Sequence, residues 1–207
     1  AVEFSPNSAM VHTYYGLCLA NTGQFERALS ELRLARELDP SSGFSQLYTV
    51  YPLYYMRAYD DAIPQLQTAI EVDADNYMPY PYLGLMYEQK HDYPKAIAAF
   101  QKAIELGAPA EGKAQLAHIY ANAGMHEEAI KLLDMLKELP KTEYLSPYNI
   151  ALIYAGLGDR EQAFEWLKKA SEDHSEWFAS LRVDPRLDGL RSDARFSDLR
   201  RHLKFTP

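Results

Sequence analysis

The sequence predicts an all-α solenoid of stacked helix-turn-helix units, and three observations lead there. Five alanines, Ala28, Ala62, Ala96, Ala129 and Ala163, recur at spacings of 34, 34, 33 and 34 residues. Each is followed four residues on by a larger apolar residue (Leu32, Leu66, Phe100, Leu133, Leu167) and seven on by another apolar residue. Gly23, Gly124 and Gly158 fall between the halves of three units, where a tight turn can demand positive φ. A fixed period of this length marks one unit repeated, because a single helix pair has an apolar face that only a neighbouring copy covers.

The period sets units at 9–42, 43–76, 77–109, 110–143 and 144–177, each with a first helix A and a second helix B. Small residues at the eighth and twentieth positions of a unit sit where helices cross closely, and larger apolar residues fill what remains. Ser146 is placed to cap helix 5A with Pro147 just inside it, and Pro94 falls in the first turn of helix 3B, where a missing N–H costs little. Pro52 falls in the middle of helix 2A, where proline removes a backbone hydrogen bond at a cost of roughly 3 kcal/mol, so a kink or break is expected there.

The residues at these phases carry a family resemblance. The first unit has Tyr15-Gly16, Gly23, Phe25, Ala28, Leu32, Ala35 and Pro40; the third has Leu83-Gly84, Tyr87, Tyr93, Ala96, Phe100 and Ala103. The fifth has Ile150-Ala151, Tyr154, Gly158, Ala163, Leu167 and Ala170, while Val50 and Leu136 stand in usually small slots of the second and fourth. The pattern resembles the tetratricopeptide repeat. That resemblance implies a right-handed superhelical solenoid whose A helices line a concave, peptide-binding surface. The positions that face a bound peptide in this family correspond to Thr13, Leu17 and Asn21; Phe44, Leu47, Tyr48, Tyr51, Tyr54 and Tyr55; Met78, Pro81, Tyr82, Leu85, Glu88 and Gln89; Gln115, His118 and Asn122; and Tyr148, Asn149 and Leu152. Cochaperone members grip a terminal carboxylate with lysine, asparagine and arginine, and the equivalent positions here are Thr13, Leu17, Tyr48, Met78 and Tyr82, so that clamp is not expected. Tyrosines suit a protein segment with apolar or aromatic anchors.

Both ends lie outside the repeats. Residues 1–8 match the phase of Ala35–Ser42, with Pro6 answering Pro40, and are read as the end of an earlier helix B. The chain is therefore expected to be the C-terminal part of a longer bacterial multidomain protein. Residues 178–207 are read as a capping segment with a C-terminal helix. Trp177, Phe178, Leu181, Leu187, Leu190, Phe196, Leu199 and Leu203 are expected to cover the open face of helix 5B. The tail resembles the closing segments of bacterial proteins whose repeats follow a catalytic or DNA-binding domain.

The whole chain carries a net charge of -8, of which residues 182–207 contribute +3. An acidic body argues against a nucleic-acid surface. The alternating Arg182, Asp184, Arg186, Asp188, Arg191, Asp193, Arg195 and Asp198 read as a solvated salt-bridging face. No run of about 18 apolar residues could span a membrane. Cys18, flanked by Leu17 and Leu19, is expected to be a small buried residue. His12, His91, His118, His126, His174 and His202 are scattered over different helices without a metal-binding spacing. Asp73-Ala74-Asp75-Asn76 lacks the glycine and glutamate a calcium loop needs, since Met78 and Gly84 stand there. No phosphate loop, GxSxG turn or Cys–His pair is present. The sequence thus points to a noncatalytic interaction scaffold with no cofactor, binding a protein or peptide in an aromatic groove. Self-association through the same residues, or a regulatory role beside a missing effector domain, is the alternative.

Overall fold

The computed structural model describes residues 5–139, 144–173 and 175–202. Among them are helices and turns and no strand. Five consecutive hairpins stack: α1 (Ala9–Asn21) with α2 (Phe25–Leu38); α3 (Gly43–Leu47) and α4 (Val50–Tyr55) with α5 (Tyr59–Val72); α6 (Pro79–Gln89) with α7 (Tyr93–Glu105); α8 (Ala110–Asn122) with α9 (His126–Lys137); and α10 (Pro147–Gly156) with α11 (Arg160–Glu172). Two 3₁₀ segments, Glu176–Arg182 and Pro185–Leu190, lead to α12 (Ala194–His202).

The five periodic alanines are all fully buried. Around them the helices approach so closely that a β-carbon on Gly84 would lie 2.4 Å from the Phe100 ring, and one on Gly16 would lie 2.7 Å from Leu32. The turn between helices A and B takes positive φ at the same place in every unit: Gly23, Gly124 and Gly158, but also Arg57 (63°) and His91 (59°). Helix starts are capped by Ser8, Asp92, Ser146 and Asp159, with Pro94 and Pro147 in first turns.

The break in helix 2A falls at Tyr48–Thr49, one turn ahead of Pro52. The proline ring clashes with the carbonyl four residues back, that of Tyr48, so the chain is interrupted there. Pro52 then occupies the first turn of α4, where no N–H is needed.

Two expectations are corrected. Cys18 is exposed, because the buried stripe of α1 consists of His12, Thr13, Gly16, Leu19 and Ala20, and Cys18 falls off it. The charged tail is also not wholly a solvated face: Asp184 is fully buried, and the Arg186 side chain is 3% exposed. The tail's apolar residues Phe178, Leu181, Leu187, Leu190, Phe196 and Leu199 share one cluster with Tyr148, Leu152, Phe164 and Leu167. They therefore lie against α10 as well as α11. The side chains of Trp177, His174 and His202, together with Leu203, lie outside the described residues, as do residues 1–4.

Gly84→Ala should lower unfolding stability by about 1–3 kcal/mol through overpacking against Phe100, whereas Gly43→Ala, whose β-carbon would meet no atom, should not. Denaturant unfolding of both variants is the check. A second prediction concerns His12, whose Nδ1 lies 2.6 Å from Glu31 Oε2 and whose Nε2 lies 2.8 Å from the Pro6 carbonyl. Both partners are acceptors, which favours the imidazolium, and the bond to Glu31 raises its pKa above the ordinary 6.5 despite burial. The stabilisation is present below that ordinary value and is lost as pH rises through the higher folded value. Melting temperature measured upward from pH 6 should fall, and the fall should be smaller in His12→Gln.

Candidate functional site

The A helices α1, α3–α4, α6, α8 and α10 carry the residues expected on the concave face. Six aromatic rings cluster where α3, α4 and α6 meet. Centroid separations are 4.4 Å for Phe44–Tyr48, 5.9 Å for Tyr48–Tyr82, 5.0 Å for Tyr51–Tyr55 and 5.3 Å for Tyr54–Tyr55, all edge-on. The Tyr55 hydroxyl donates to Tyr51, which donates to Asn21 Oδ1, each at 2.9 Å. Burial pushes the phenols of Tyr51, Tyr54, Tyr55 and Tyr82 well above their ordinary value, so they remain neutral donors. Leu47, Tyr51, Tyr54 and Tyr55 are buried, whereas Leu17, Phe44, Tyr48, Met78, Tyr82 and Leu85 keep partial exposure.

Towards the C-terminus the concave face becomes polar and buried. Bonds step from each repeat to the next at an interval of one unit. Asn122 Nδ2 donates to Glu88 Oε1 (2.7 Å), His118 Nδ1 to the Leu152 carbonyl (2.7 Å) and Gln115 Nε2 to Asn149 Oδ1 (3.4 Å). His118 Nε2 lies 2.9 Å from Glu88 Oε1, with both side chains almost completely buried. Burial works to raise the Glu88 carboxyl, but His118, Arg186 and the Asn122 amide outweigh it and hold the group below the ordinary range. Thr13, at the other end, is buried and 3.1 Å from the Ser45 hydroxyl. Tyr148, Asn149 and Leu152 are buried, and Asn122 is exposed.

α10 packs between α8 and α11 and is covered further by the chain's own tail, which runs back across the concave face. Asp184 accepts a 2.8 Å bond from the Tyr148 hydroxyl and is held by Arg186 through Nε and Nη2, the latter at 2.6 Å. Arg186 Nη1 donates to Gln115 Oε1 at 2.6 Å. Ser180 is hydrogen-bonded to the phenols of Tyr55 and Tyr148. Val183 joins the cluster of α1, α4 and α6 and lies beside the Gly23 turn. The strap is tied at both sides: Asp188 pairs with Arg57 at 2.5 Å, and the Gly189 carbonyl accepts from Arg160 at 3.1 Å. Burial would raise the Asp184 carboxyl, yet the adjoining Arg186 charge keeps it below its ordinary value.

Beside the strap a cavity of about 220 Å³ remains. It is walled by Tyr48, Tyr51, Tyr54 and Tyr55 from the second repeat and by Met78, Pro81, Tyr82 and Leu85 from the third. Pro109 at the end of the third repeat and Gly112 and Gln115 of the fourth complete it, with Arg186 at one side. The Tyr54 hydroxyl is buried there without a hydrogen-bond partner. Among the described residues, no three His, Cys, Asp or Glu side chains converge as metal ligands, and no helix is long and apolar enough to cross a membrane.

A solenoid of helical hairpins with a concave face built by its A helices defines a repeat protein. Residues 53–111 and 148–172 each match a tetratricopeptide repeat model, so the chain carries tetratricopeptide repeats. Its fold is similar to that of TTC0263, a tetratricopeptide protein of Thermus thermophilus. The two are 16% identical over 87% of this chain and 99% of that one, with a TM-score of 0.66. It is also similar to the APC/C Cut9–Hcn1 heterotetramer (18% identity, 98% of this chain and 44% of that one, TM-score 0.62). A third likeness is to residues 41 to the end of MamA from Desulfovibrio magneticus RS-1 (22% identity, 70% and 82%, TM-score 0.53). No curated protein sequence matches the chain.

The residues at this face that the sequence reading did not place there are Ser180, Asp184 and Arg186. The available signal was the pattern Asp-x-Arg followed by an apolar residue, present at 184–187 and again at 193–196. Arg186→Ala should cost about 3–5 kcal/mol, because it leaves the buried Asp184 carboxylate without its counter-charge. The double variant Asp184→Ala/Arg186→Ala should be more stable than Arg186→Ala alone, as read by chemical denaturation.

Proposed function

We propose that this chain is a noncatalytic protein-interaction scaffold that holds a short segment of a partner protein. An aromatic or aliphatic side chain of that segment anchors in the cavity between α4, α6 and α8. The cavity carries this reading: Tyr48, Met78, Pro81, Tyr82 and Leu85 line it while retaining partial exposure. Such walls offer large contact area with little rotamer freedom to lose. The tetratricopeptide repeats support the broader statement that the chain is an interaction scaffold. Glu88 is engaged by His118 and Asp184 by Arg186, so on this reading both buried carboxylates serve the packing of the array.

Tyr51 supports the fold through Asn21 and Tyr55, so Tyr82 is the better probe of binding. A partner identified by cross-linking pull-down should bind Tyr82→Ala about 30-fold more weakly, the equivalent of ~2 kcal/mol for a binding hot spot, with helicity unchanged. Its affinity should vary little with salt, because apolar contacts are not screened as exposed ion pairs are. Full affinity in both Tyr82→Ala and Met78→Ala, or binding abolished by moderate salt, would move the site off this cavity.

A further inference from the structure

The tail makes the same local device twice. At 184–187 the Arg186 N–H donates to Asp184 Oδ1 (3.0 Å), and its guanidinium grips the same carboxylate through Nε (2.9 Å) and Nη2 (2.6 Å). At 193–196 the Arg195 N–H (3.0 Å), Nε (3.0 Å) and Nη2 (2.8 Å) do likewise with Asp193. In each copy the next residue, Leu187 or Phe196, is buried. The second copy stands on the outside of the molecule, with Arg195 40% exposed and paired also with Glu161. The Asp-x-Arg staple therefore forms from its own bonds in both settings, buried and partly exposed. The concave face adds two bonds to the first copy: Arg186 Nη1, which the staple leaves unused, donates to Gln115, and Asp184 Oδ2, already held by Arg186 Nη2, accepts a further bond from Tyr148.

That is a recognition geometry, and the resident segment satisfies it incompletely. The Tyr54 hydroxyl and Asn149 Nδ2 are buried in the same face without partners. A wholly buried ion pair is also a poor choice for a plain cap, since apolar residues in its place would commonly stabilise as well or better.

We infer that the concave strip formed by Tyr55, Gln115 and Tyr148 is a recognition site for a partner segment with an aspartate, an arginine two residues later and an aliphatic residue next. The chain's own Ser180–Leu187 is its resident ligand and is displaced when such a segment binds. A partner that also offers an acceptor to Tyr54 or Asn149 gains bonds the resident lacks. This goes beyond the aromatic cavity and does not depend on that cavity having a partner.

The probe is a fluorescent peptide with the sequence of residues 178–190, titrated into the full chain and into full-length Leu187→Asp, which expels the resident segment from its apolar seat. Apparent affinity scales with the fraction of groove left open. The peptide should therefore bind Leu187→Asp at least about tenfold more tightly than the unaltered chain. Asp184→Ala or Arg186→Ala in the peptide should remove that gain, and so should Gln115→Ala/Tyr148→Phe in the receptor. Where Leu187→Asp loses helicity, added peptide should restore both helicity and melting temperature, because a ligand of the folded state stabilises it. Equal binding to both proteins, binding indifferent to the aspartate and arginine, or helicity that peptide does not restore would overturn the inference.

Discussion

Everything in this molecule depends on how closely neighbouring helices are allowed to approach. A helical hairpin of this length cannot bury its apolar face alone, and stacking hairpins works only where the crossing points carry almost no side chain. Ala28, Ala62, Ala96, Ala129 and Ala163 mark those points, each without solvent contact. Gly16 and Gly84 show the same limit from the other helix, where a single β-carbon would strike Leu32 or Phe100. With the backbones held at that distance, the larger residues four positions on fill the remaining space, and the A helices are brought side by side into a continuous surface.

That surface changes character along its length. In the second and third repeats tyrosines pack edge to edge and leave a cavity; from the third to the fifth, polar side chains bond to a neighbouring repeat. The change has a physical cause. The first region borders a gap, so Phe44, Tyr48 and Tyr82 stay partly exposed while Tyr51, Tyr54 and Tyr55 are buried behind them. The second lies under the returning tail, and any polar atom there must find a partner or go without one. The bonds from Asn122 to Glu88, from His118 to Leu152 and from Gln115 to Asn149 meet that demand, as do Asp184 and Arg186.

The fold was largely legible because its cause is periodic: a small residue every 33 or 34 positions is visible without any knowledge of space. The break in the second repeat was legible for the same kind of reason, since Pro52 acts on the carbonyl four residues behind it. The return of the tail was not. Asp184-Pro185-Arg186 and Asp193-Ala194-Arg195 are alike as sequences, form the same local bonds, and end with one copy buried and the other outside. Burial here is decided by where the preceding helix points the chain, and no local pattern records that. Cys18 shows the limit on a smaller scale: its neighbours are apolar, but a shift along the helix from the buried stripe turns it to solvent.

The Arg57–Asp188 pair joins residues 131 positions apart, and this alters how the array behaves as a whole. An open solenoid resembles a stack of coins in which each unit meets only its neighbours, so end units can fray while the middle stays intact. A strap that touches α1, α4, α8 and α10 turns the stack into a closed hoop. Loss of the last repeat then removes contacts from the first, and the ends no longer melt independently. Closing so long a loop carries an entropic penalty that grows only slowly with its length. The array thereby trades the piecemeal disorder of a repeat protein for the all-or-none transition of a globular domain.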